Sequence, residues 1–131
     1  MSRTPTKWIL LLSVLMVLAF AKTGFADLSG NELVELMRGS EKAQAHENGG
    51  SWLEAGEYLG YILGVKEGTD DIASALKQTR VFDIPDGATK EQIVAVVSKY
   101  LKDHPEKWSE FAAILVIKAL MEAFPLKQPA K

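Results

Sequence analysis

Fourteen residues near the C-terminus, Phe111 to Phe124 (FAAILVIKALMEAF), carry only two charges, Lys118 and Glu122. A helix that is apolar nearly all round must be buried nearly all round. The rest of the chain therefore has to sheath this segment, unless part of it packs against a second copy. No stretch alternates convincingly as a strand, so the predicted class is all-α, a small bundle of about five helices.

Helix starts are legible because three segments open with a hydroxyl residue followed three positions later by Glu or Gln. This capping box satisfies backbone N–H groups that have no partner inside the helix. The pairs are Ser29 with Glu32, Ser51 with Glu54, and Thr89 with Gln92, and Leu28 and Leu33 sit where a hydrophobic staple would. The first helix is expected from about Gly30 to Arg38, stopping near Gly39. Ser40 to Gly50 is polar and ends in Asn48-Gly49-Gly50, a turn signal. The second helix is expected over Trp52 to Glu67 with Gly68 at its end, and Thr69 capping a further turn or two through Lys77. Val81 to Gly87 reads as an extended connector, since residues before a proline avoid the helical region. Ile93, Val96, Val97, Tyr100 and Leu101 then give one apolar face of a surface helix. Pro105 is placed to open the last helix, and Pro125 to end it.

The N-terminus reads differently from the rest. Arg3 and Lys7 precede an apolar run from Trp8 to Ala21, and Gly24 and Ala26 place small residues at −3 and −1 before Asp27. That pattern predicts a secretory signal peptide over 1–26 and a helical domain over 27–131. The run has 14 residues, against the roughly 20 that a membrane-spanning helix needs. The expectation is an exported, periplasmic protein with no membrane attachment after cleavage.

Composition removes several chemistries. From Asp27 onward there are 12 Lys and Arg against 17 Asp and Glu, a net charge of −5. A body with no cationic excess has little to offer phosphates, which argues against nucleic-acid binding. There is no cysteine, hence no thiolate nucleophile and no cysteine-based metal site. His46 stands in the polar loop and His104 before Pro105, where solvated and capping roles fit better than ligation. Glu54 and Glu57, three apart, read as a solvated face, and Asp70-Asp71 as the acidic start of a short helix. No nucleophile with a base, no metal cluster and no cofactor loop emerges, so no catalytic residue, metal or cofactor is assigned.

Gly56, Gly60 and Gly64 recur every four residues on one face of the second helix. Each costs up to about 1 kcal/mol relative to alanine in a helix interior. Such a cost points to close approach of another helix, and the three are assigned a helix-packing role.

Four ordered landmarks carry a resemblance: Gly60 to Val65 (GYILGV), Ile84 to Thr89 (IPDGAT), Tyr100 to Glu106 (YLKDHPE) and Ala119 to Pro125 (ALMEAFP). In this order, behind a signal peptide, the chain resembles the type VI secretion amidase immunity family, also called Tai or Rap. The resemblance implies an all-helical periplasmic protein, often dimeric, that protects a bacterium from injected peptidoglycan-cleaving amidases. Many members carry four cysteines, and here Met37, Tyr58, Asp83 and Leu126 stand at their counterparts, as loss of two bridges would leave.

The resulting expectation is a homodimeric inhibitor, paired through part of the last helix or the glycine face of the second, with no enzymatic activity, which occludes an amidase's catalytic groove. A periplasmic helical chaperone or envelope structural protein is the alternative. An occluding element should be a loop held at both ends, because such a loop loses little entropy on binding. The segment from Gln78 to Gly87 fits, with Phe82 as an aromatic anchor and Asp83 and Asp86 as acceptors. The longer loop from Ser40 to Gly50 ranks second, and Phe82 plugging the core beneath the connector is the competing reading.

Overall fold

A computed structural model describes residues 28–127; the predicted signal peptide lies outside the described residues. Four α-helices form the domain: α1 (Gly30–Gln44), α2 (Trp52–Ala75), α3 (Lys90–Asp103) and α4 (Ala112–Ala123), with a 3-10 turn over Pro105–Lys107. No strand occurs among the described residues. The all-α class holds, and the described residues form four α-helices where about five were expected.

The three helix starts behave as their sequence dictates. Ser29 and Thr89 form reciprocal capping boxes with Glu32 and Gln92, while Ser51 accepts from the Glu54 N–H at 3.2 Å without the return bond. The stops differ. α1 runs through Gly39, and α2 runs through Gly68 for 24 residues, absorbing the separate turn expected after Thr69. Thr69 is no cap: its hydroxyl donates to the Val65 carbonyl at 2.7 Å, the back-bond a mid-helix threonine makes. Asp70 likewise belongs to the interior of α2, paired with Lys66 at 3.2 Å.

Both helices end instead in Schellman motifs on residues that are not glycine. His46 (φ 55°) and Lys77 (φ 53°) occupy the left-handed region. Glu47 N–H reaches the Lys42 carbonyl at 2.8 Å, and Gln78 N–H reaches that of Ala73 at 2.8 Å, closing the six-to-one bond of that motif. At the other break, Pro105 opens the 3-10 turn and not α4, which starts only after Phe111.

The core gathers Leu33, Val34 and Met37 of α1, Tyr58 and Ile62 of α2, Ile93, Val97, Tyr100 and Leu101 of α3, and Ala112, Leu115, Val116, Ala119 and Leu120 of α4. The start of α1 and the start of α4 are tied together by backbone. Gly30 N–H donates to the Glu110 carbonyl and Ala112 N–H to that of Leu28, each at 2.8 Å. The close approach accounts for Gly30, where a Cβ would press on Leu115 at 2.5 Å and on the Trp108 carbonyl at 2.7 Å. Trp108 is fixed in turn by its indole N–H on the Leu101 carbonyl at 2.8 Å.

α4 does not meet the burial that its composition demands. One face is in the core, but Phe111 is 64% exposed, Ile114 43% and Met121 46%. No helix among the described residues is long and apolar enough to cross a membrane.

Candidate functional site

The connector between α2 and α3 is ordered by contacts at several points. Asp83 N–H donates to the Phe124 carbonyl at 2.9 Å, joining the connector to the end of α4, and Ala88 N–H closes a turn onto the Pro85 carbonyl at 2.9 Å. The Thr89 capping box then fixes the exit. Phe82, however, is only 2% exposed and belongs to the core. This corrects its assignment as a partner-binding anchor: a benzyl group gains more from the apolar interior than from water, and the Asp83 backbone bond holds it there. Asp83 is half-buried with its carboxylate 3.8 Å from Lys127, and Asp86 is exposed. The positions at the cysteine counterparts 83 and 126 thus lie in segments already joined by a backbone hydrogen bond and an ion pair.

Beneath the connector is a polar cavity of about 290 Å³ that includes Lys66, Asp70, Arg80 and Asp86 in its lining. Its charges are mixed and Lys66 is already paired with Asp70, so it presents no concentrated field of one sign.

The glycine face points outward. A Cβ at Gly56, Gly60 or Gly64 would meet nothing within 4 Å, so no helix among the described residues approaches them. Their expected packing is corrected for the helices described, and a second copy is the other partner expected for this face. The close approach between α1 and α2 occurs at Gly39, whose Cβ would run into the Glu54 carboxylate.

What Gly60 does is shape a larger space. Between α1 and α2 lies a groove of about 470 Å³, lined by Leu28, Leu36, Gly60 and Tyr61, with Glu32, Glu35 and Glu57 beside them. The Tyr61 ring is half-buried, burial raises its phenol's pKa, and its hydrogen bond with the Ala113 backbone opposes that shift. Glu32 is held below the usual carboxylate range by hydrogen bonds from the Ser29 N–H and hydroxyl. Glu35 pairs with Arg38 at 2.5 Å. Glu57 has no ion-pair partner among the described residues. The groove was not found from sequence; its signal was a glycine at an exposed helical position beside Tyr61.

The histidines are structural. His46 terminates α1 with its ring edge toward Trp52 at 6.3 Å between centroids. His104 lies tilted against Tyr100, with 4.5 Å between ring centroids, and sets Nδ1 3.1 Å from Glu106. Among the described residues, no three His, Asp or Glu side chains are grouped to hold a metal.

The described residues thus form an all-α body with an apolar groove, a connector tethered to the last helix and an exposed apolar stripe. The family model for Rap1a immunity proteins matches residues 29–126. The chain belongs to that family. No curated protein and no solved structure matches it.

Proposed function

We propose that this chain is a periplasmic immunity protein that binds a type VI-secreted peptidoglycan amidase and occludes its catalytic groove, with no chemistry of its own. Membership of the Rap1a immunity protein family over residues 29–126 carries the reading. The amidase as target rests on the resemblance of the four landmarks. The body's charge of −5 suits a basic, wall-binding enzyme, chiefly by steering encounter. Asp83 and Asp86 on the tethered connector are the acceptors assigned to that contact. The signal-peptide pattern over 1–26 supports the export in this reading.

A homodimer belongs to the same proposal. Phe111, Ile114 and Met121 leave an apolar stripe on α4 that a second copy would cover. The experiment is inhibition: protein expressed from its full-length gene and purified from the periplasm is mixed with candidate amidases acting on purified peptidoglycan. Stoichiometric loss of amide hydrolysis is the expected result, and full hydrolysis by every candidate refutes the reading.

A further inference from the structure

We infer that the α1/α2 groove is the principal anchoring site for the effector, and that it receives an apolar side chain flanked by lysine or arginine. This rests on the proposed function for the partner's identity and on the groove's own chemistry for what the partner must present.

The first step is a deficit elsewhere. Stable protein interfaces draw most of their energy from a few desolvated anchors, aromatic above all, seated in pockets. With Phe82 in the core, the connector offers acceptors and no anchor. An anchor can equally come from the partner, in which case this protein supplies the pocket that receives it. The groove is that pocket: Leu36, Leu28 and the Tyr61 ring give it apolar walls, and the missing side chain at Gly60 leaves it open. At about 470 Å³ it lies within the range of roughly 300–1,000 Å³ typical of sites that engulf small ligands. One ring with its flanking backbone fits such a space.

Charge selects the occupant. Three carboxylate side chains line the groove, Glu32, Glu35 and Glu57, and no lysine or arginine does. Glu32 is committed to the α1 cap and Glu35 to Arg38, which leaves Glu57 open to a cation. An apolar tip flanked by acidic residues would meet repulsion there, whereas one flanked by cations completes the pairing. The apolar surface continues beyond the groove. Leu28 and Ser29 pair by backbone with Ala112 and Phe111, and Phe111 is exposed. Gly60 is an exposed helical position where a Cβ would meet nothing within 4 Å, so the groove is open along that wall.

Two measurements test this. In the first, the blocked tripeptides acetyl-Lys-Trp-Lys-amide and acetyl-Glu-Trp-Glu-amide are titrated into the labelled protein and followed by NMR. The basic peptide should shift Leu28, Leu36, Gly60 and Tyr61 with millimolar affinity, at least tenfold tighter than the acidic one, and Gly60→Met should abolish the effect. Equal shifts from both peptides, or shifts confined to other surfaces, overturn the groove's chemistry. In the second, inhibition of the amidase identified above is compared across variants. Gly60→Met, which fills the groove, and Glu57→Lys, which reverses its free charge, should raise the inhibition constant by at least a hundredfold and tenfold, with thermal unfolding no lower than wild type. Unchanged inhibition by both variants overturns the groove as the anchor while the immunity function stands. A wild-type protein that inhibits no amidase overturns the effector as occupant even where the basic peptide binds. Dissociation of a dimer by Gly60→Met in sedimentation shows a second copy in the groove and also overturns the proposal.

Discussion

Alanine at Gly60 should stabilise this protein. The sequence pattern argues the opposite, since glycines spaced for close helix approach make any added Cβ an overpacking error of about 1–3 kcal/mol. In the structure the position is helical, without positive φ, and a Cβ there meets nothing within 4 Å. What remains is backbone entropy and exposed peptide, for which glycine is about 0.8–1 kcal/mol worse than alanine in a helix interior. The methyl enters the groove mouth without reaching its far wall, so no compensating clash is expected. For a domain of about 100 residues, 1 kcal/mol corresponds to roughly 4–8 °C in Tm. Urea unfolding followed by tryptophan fluorescence, with Tm from circular dichroism, should show Gly60→Ala gaining close to that amount with an unchanged m value. Gly39→Ala supplies the contrast, because its Cβ runs into Glu54 at the α1/α2 contact; it should gain nothing or lose stability. A loss of 1 kcal/mol or more in Gly60→Ala, growing with protein concentration, would mean that a second copy already closes over this face, and the reasoning would be refuted.

Three further outcomes are expected. Gly50→Ala should cost at least about 1–3 kcal/mol, because a Cβ there meets the Ala43 and Lys42 backbone, which has no rotamer to yield; chemical denaturation of that variant beside Gly87→Ala, where a Cβ meets nothing within 4 Å, gives the size. Tyr58 is buried, its hydroxyl 2.9 Å from that of Ser98, and burial holds its phenol well above the ordinary range. With the folded pKa raised, the stabilisation is complete below the unfolded value near pH 10 and falls as pH rises above it; Tyr58→Phe should lose about 1 kcal/mol at pH 7 and flatten that alkaline decline in a pH series of urea midpoints. Ile114→Glu with Met121→Glu, both at exposed positions of α4, should leave the far-ultraviolet spectrum unchanged and, if the proposed homodimer uses this stripe, lower the sedimentation coefficient to the monomer value relative to wild type.

How far the fold could be read from sequence depended on which end of a helix was being read. Starts are encoded in side chains: Ser29, Ser51 and Thr89 each accept from the N–H three residues on, and all three starts are where the capping residues put them. Stops are encoded in backbone conformation, which glycine advertises and other residues conceal. Gly39 and Gly68 were expected to end helices and lie inside them, while His46 and Lys77 adopt the left-handed conformation that ends α1 and α2. The three-residue turn after His104 was hidden similarly, since Pro105 is as suitable for the first position of a 3-10 turn as for that of an α-helix.

The candidate surfaces were harder to read because type and spacing do not say which side of a helix faces the core. Phe82 and Gly60 exchanged roles on this account. An aromatic in a connector flanked by Asp83 and Asp86 looks like an exposed anchor, yet the Asp83–Phe124 backbone bond turns Phe82 inward. A glycine row looks like a buried seam. Yet Tyr58, Ile62 and Ala73 define the buried side of α2, and at 100° per residue Gly56, Gly60 and Gly64 fall on the side away from them. The same geometry decides the meaning of the cost: at a seam glycine is kept because a neighbour leaves no room, whereas on an open face beside Leu36 and Tyr61 it makes room. Only the second situation leaves Gly60→Ala stable and Gly60→Met stable but impaired in binding, so the pair of substitutions separates a packing glycine from one that shapes a groove.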